Sequence, residues 1–96
     1  MVDETLDKIN TEISLLDEKC LAVVKEIEDI ESILSDLEAL FSKLQKSSLY
    51  HLFYPDFLAV MDLYYKERDS LMKEREKIIK KRGRLGVKRG KVLGSF

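Results

Sequence analysis

Proline occurs once in this sequence, at Pro55, cysteine once, at Cys20, histidine once, at His51, and tryptophan not at all. A lone cysteine excludes an intrachain disulfide, so the fold cannot lean on an oxidising compartment. With one histidine and one cysteine, a His/Cys metal cage is excluded, and no metal or other cofactor is expected. Glycine is missing from the first 82 residues and then comes four times, at Gly83, Gly86, Gly90 and Gly94. No Gly-Lys-Ser/Thr loop follows a strand, so a phosphate-cradling nucleotide site is excluded as well. No uninterrupted apolar run approaches the roughly 20 residues of a membrane span, and no basic stretch precedes a short apolar run at the N-terminus. The expectation is a soluble, intracellular (cytoplasmic) protein with no membrane span.

What the chain has instead is periodicity. Leu6, Ile9, Ile13, Leu16, Cys20, Val23, Ile27, Ile30, Leu34, Leu37, Phe41 and Leu44 follow one another in steps of three and four without a slip. That is the seam of a coiled-coil helix. It predicts a first helix over about residues 3–46, capped near Asp3 or Thr5 and roughly 65 Å long at 1.5 Å per residue. Val24, Ile33 and Leu40 stand beside the seam and widen the apolar stripe past what two helices cover.

Residues 47–55, Ser-Ser-Leu-Tyr-His-Leu-Phe-Tyr-Pro, interrupt the repeat. They read as an aromatic corner that plugs the end of a bundle; left exposed, they would form an apolar patch. Pro55 suits the first turn of a second helix, over about residues 56–82. There the apolar residues come as doublets seven apart: Phe57-Leu58, Tyr64-Tyr65, Leu71-Met72 and Ile78-Ile79. Folded back antiparallel, Phe57 meets Leu44, Tyr64 meets Leu37, Leu71 meets Ile30 and Ile78 meets Val23.

Charge supports that pairing. Residues 1–46 carry 12 acidic against 5 basic side chains, whereas residues 66–96 carry 12 basic against 4 acidic. A parallel, in-register pair of first helices would set Glu12 against Asp17 and Glu26 against Glu31, which repel. The expected fold is therefore all-α: an antiparallel two-helix coiled-coil hairpin over residues 1–82 with a basic, Gly-rich tail at 83–96, assembling into a helical bundle.

Two candidate sites follow. A second helix ending near Arg82 leaves Leu6, Ile9, Ile13 and Leu16 bare, at a cost of about 1.5–3 kcal/mol each, so these four form the expected partner interface. A second copy, giving a dimer of hairpins, or a larger protein complex would cover them. The other site is the acid-free segment Lys77–Lys91. Its eight cations are Lys77, Lys80, Lys81, Arg82, Arg84, Lys88, Arg89 and Lys91, suited to phosphates or to an acidic protein.

Carboxylates such as Glu28, Asp29 and Glu31 lie on a solvated helix face without a histidine, and no serine has a base beside it, so no catalytic residue is assigned. Cys20, on the seam, reads as a small buried hydrophobe. The expected function is a non-enzymatic interaction protein, an assembly or adaptor subunit that oligomerises and docks a partner. The alternative is a sequence-nonspecific DNA- or RNA-binding protein using residues 77–91.

Overall fold

The computed structural model describes the backbone of residues 2–94 and the side chains of residues 4–94. It is a helical hairpin: α1 spans Val2–Leu44 and α2 spans Tyr50–Gly94. Helix α1 is already formed at Val2, ahead of the expected start, so Asp3 and Thr5 fall inside it rather than at a cap position. Without Gly or Pro, α1 has nothing to interrupt it. Two of its hydroxyls turn back on the helix, Thr11 Oγ1 donating to the Asp7 carbonyl at 2.8 Å and Ser42 Oγ to that of Glu38 at 3.2 Å.

The reversal is short. Lys46 N–H bonds to the Lys43 carbonyl at 3.2 Å and Ser47 N–H to that of Leu44 at 2.9 Å, three-residue spacings that tighten the last turn of α1. Ser47 then opens α2: its Oγ accepts the Leu49 N–H at 3.1 Å, as an N-cap oxygen does.

Helix α2 thus begins well before Pro55, which sits inside it rather than at its start. The reason lies in ring packing. Tyr50, Tyr54 and Phe57 fall on one helical face and surround Phe41 of α1, with ring centroids 5.9, 5.9 and 5.1 Å from it. An extended corner would not gather those three rings. Pro55 cannot serve the His51 carbonyl, and His51 is solvent-exposed.

The other difference is at the C-terminal end. Residues 83–94, expected as a basic, Gly-rich tail beyond the second helix, continue α2 through Gly83, Gly86 and Gly90 to Gly94, while Ser95 and Phe96 lie outside the described residues. Four helical glycines cost about 1 kcal/mol each relative to alanine. Continuing the helix buries Leu85 and leaves Ile9, Ile13 and Leu16 at 5–7 % exposure, gains of about 1.5–3 kcal/mol for each side chain. Burial wins over glycine's entropy.

By internal contact the chain forms two units, a turn unit of residues 25–72 and a terminal unit of residues 1–24 with 73–96. In the turn unit the buried side chains are Ile27, Leu34 and Leu71. In the terminal unit they are Ile9, Ile13, Leu16, Val23, Ile78 and Leu85.

Among the described residues the core is lopsided, with six buried residues from α1 and three from α2. On α2 one seam row is apolar, comprising Phe57, Tyr64, Leu71, Ile78, Leu85 and Val92. The alternate row runs Met61, Arg68, Arg75, Arg82 and Arg89. Of these arginines Arg68 and Arg89 are half-buried, whereas Arg75 and Arg82 are exposed. No described large side chain is fully enclosed, which leaves a thin hydrophobic core.

Candidate interaction surfaces

Three surfaces stand out, and each arises from a helical row. The first lies in the turn unit. Leu37 and Leu44 lie on the α1 seam, Leu40 beside it, and Phe53, Phe57 and Val60 come from α2. Together with Asp56 they line an apolar groove of about 320 Å³. Leu40 and Phe53 are each about half exposed, at 53 % and 49 %. The aromatic corner is thus divided: Tyr50, Tyr54 and Phe57 pack on Phe41, whereas Leu49, Leu52 and Phe53 remain open to solvent.

A second surface is the outer member of each α2 doublet. The structure buries or half-buries Phe57, Tyr64, Leu71, Ile78 and Leu85, and turns out Leu58, Met72 and Ile79 at 39–49 % exposure, with Leu93 at 50 %. Tyr65 and Gly86 complete this row at seven-residue spacing. Tyr65 is half-buried and tied down: its hydroxyl donates to Glu38 Oε1 at 2.9 Å. That bond, ahead of partial burial, raises the Tyr65 pKa above its ordinary value. Next to it the Arg68 guanidinium lies over the Tyr65 ring, 5.0 Å from its centre, and the buried Arg68 Nε has no hydrogen-bond partner.

The third surface is basic. On a continuous helix the eight cations of residues 77–91 separate by direction. Lys77, Lys81, Arg84, Lys88 and Lys91 follow steps of four, three, four and three, so they form one exposed row about 21 Å long. Lys81, Arg84, Lys88 and Lys91 frame a shallow concavity of about 420 Å³ with Leu85 and Val87. Among the described residues the ion pairs are Lys66–Asp62, Arg68–Asp69 and Arg82–Asp17, so none of the five is paired.

The remaining three point elsewhere. Lys80 is on the outer face, Arg89 is half-buried on the seam, and Arg82 grips α1. Arg82 Nε donates to Asp17 Oδ1 at 2.5 Å and its second nitrogen to Oδ2 at 3.5 Å. The Asp17 hydrogen bond, then its charge, raises the Arg82 pKa further. Sequence reasoning grouped Arg82 with the free cations because it could not show Asp17 opposite.

The expected partner interface needs correction. Ile9, Ile13 and Leu16 are buried and Leu6 is half-buried, because α2 extends far enough to cover them. They are core rather than docking surface. Sequence reading missed the outer doublet row as a surface, although the doublets were its signal: adjacent helix positions diverge by about 100°, so the second member of a pair lies off the seam.

Among the described residues no cluster of His, Cys, Asp and Glu has the arrangement to hold a metal ion, and no helix is long and apolar enough to cross a membrane. Cys20 is a half-buried free thiol on the seam. No protein-family model matches the chain, and no curated protein or solved structure matches it significantly.

Proposed function

We propose that this chain is a non-enzymatic interaction protein, an assembly or adaptor subunit that associates with itself and docks a further partner on its apolar surfaces. The observation that carries this reading is the outer doublet row of α2, four large apolar side chains left 39–50 % exposed at heptad spacing. Scattered exposed leucines are ordinary, but a regular row beside a thin core is the pattern of helices that finish burying themselves in a larger bundle. The turn-unit groove adds an apolar seat for a partner helix. Tyr65 and Arg82, whose pKa values are raised, are each held by a hydrogen bond between α1 and α2, ties that fasten the hairpin. The free thiol of Cys20 suits the reducing interior of a cell.

Sedimentation equilibrium at tens of micromolar tests the reading. A dimer or larger species is expected, and a monomer throughout that range overturns self-association.

A second reading has an observation of its own. The row Lys77, Lys81, Arg84, Lys88 and Lys91, without an ion pair among the described residues, presents five charges along one line. Such a row suits a phosphate backbone, DNA or RNA, through counterion release without base recognition.

A further inference from the structure

The outer row of α2 has a composition that makes it complementary to itself in one direction only. Its members are Leu58, Tyr65 and Met72 in the turn unit, and Ile79, Gly86 and Leu93 in the terminal unit. We infer that α2 pairs along this row with α2 of a second copy, antiparallel, so that Leu58 meets Leu93, Tyr65 meets Gly86 and Met72 meets Ile79 of the other chain. The inference rests on the self-association proposed above and specifies its surface and direction.

Size argues for that direction. The bulkiest member of the row, Tyr65, stands opposite the smallest, Gly86. A Cβ placed on Gly86 would meet nothing within 4 Å, so the space beside it is open and unclaimed by its own chain. Within one hairpin a glycine there only costs helix stability. Opposite a tyrosine of a second copy it provides the room that the ring needs. A parallel pair in register would instead set tyrosine on tyrosine and leave a gap at glycine on glycine.

Charge argues the same way. The turn unit carries 10 acidic against 5 basic side chains, and the terminal unit 12 basic against 8 acidic. Antiparallel pairing lays the acidic unit of each copy along the basic unit of the other, whereas parallel pairing puts like on like. The contact is isologous, and each end of the row is used once in each direction, so it closes as a dimer.

Cysteine cross-linking reads the direction. In a Cys20→Ser background, Leu58→Cys and Leu93→Cys proteins are prepared separately, mixed and oxidised. Both positions are exposed, so the hairpin tolerates the changes. A disulfide-linked heterodimer in the mixture, with neither protein cross-linking alone, is the expected result. Self-cross-linking of the Leu58→Cys protein overturns the antiparallel direction. A dimer by sedimentation that never cross-links in the mixture overturns the surface while leaving self-association standing. A monomeric unsubstituted chain overturns both.

A size swap supplies the second readout. Gly86→Tyr, which meets no atom of its own chain at Cβ, is expected to keep its helical circular dichroism and weaken the dimer at least about 100-fold. Adding Tyr65→Ala to it is expected to recover most of that loss. Unchanged dimerisation of the Gly86→Tyr protein overturns the pairing.

Discussion

Tyr65 and Glu38, 27 residues apart in the chain, are joined by a hydroxyl-to-carboxylate hydrogen bond of 2.9 Å that ties α2 to α1 within the turn unit. The bond exists only while Tyr65 keeps its proton, and it raises the tyrosine's pKa above the ordinary 10.0. The folded protein therefore holds this proton more tightly than the unfolded chain does. Its contribution to stability is complete below pH 10 and is lost as pH rises through the higher folded value. In the tyrosinate absorbance, Tyr65 is expected to contribute a late phase above pH 10, and Tyr65→Phe to abolish it. If the late phase survives in the Tyr65→Phe protein, the assignment is wrong.

Arg82 and Asp17 form the corresponding tie within the terminal unit. Both are half-exposed, so the effect on stability is small and screened by salt. Arg82→Asp alone is expected to lower the thermal midpoint, and Asp17→Arg added to it to restore most of the loss at low salt. A double variant no better than the sum of its singles would show that the pair does not couple.

Leu34, at 3 % exposure, is the most buried of the described residues, whereas Leu21 is 71 % exposed. Leu34→Ala is expected to cost about 2–3 kcal/mol, the lower part of the range for buried leucines, because a thin core leaves a partly open cavity. Leu21→Ala should stay within about 0.5 kcal/mol of the parent. Urea unfolding of the two variants gives the comparison.

Removing residues 83–96 strips Leu85 from the core and uncovers Ile9, Ile13 and Leu16. Stability should fall by at least about 3 kcal/mol, and helical signal should fall by more than the removed residues contribute. Equal stability with and without the segment would mean that it does not cover α1. Gly83→Ala tests the other side of the same balance. With no atom within 4 Å of the new methyl group and no positive φ to strain it, the change should stabilise the hairpin by about 0.5–1 kcal/mol.

For the phosphate reading, changing Lys77, Lys81, Arg84, Lys88 and Lys91 together to Gln should flatten the log–log salt dependence of duplex DNA binding by about 4–5. The charge-matched control changes Lys25, Lys43, Lys46, Lys73 and Lys80, all exposed and off the row, and should leave that slope nearly intact. Equal effects of the two sets would reduce the row to general electrostatics. Absence of binding at low salt would dismiss nucleic acid.

The heptads from Leu6 to Leu44 by themselves determined a helix whose seam is buried, because steps of three and four leave no other regular structure that gathers those side chains. Opposed charges and the doublet phase of residues 57–79 likewise determined a hairpin folding back on that seam. Three matters depended on tertiary contacts. Helix α2 starts before Pro55 because Phe41 collects three rings at helical spacing, a gathering that exists only once α2 has folded back on α1. The glycine-bearing segment is helical because burying Ile9, Ile13, Leu16 and Leu85 outweighs glycine's local preference, a comparison that needs the opposing helix in place. Which doublet member faces inward, and which cations of residues 77–91 stay free, depended on the rotation of α2 against α1. That rotation moves Arg82 onto Asp17 and leaves Leu58, Met72, Ile79 and Leu93 outside.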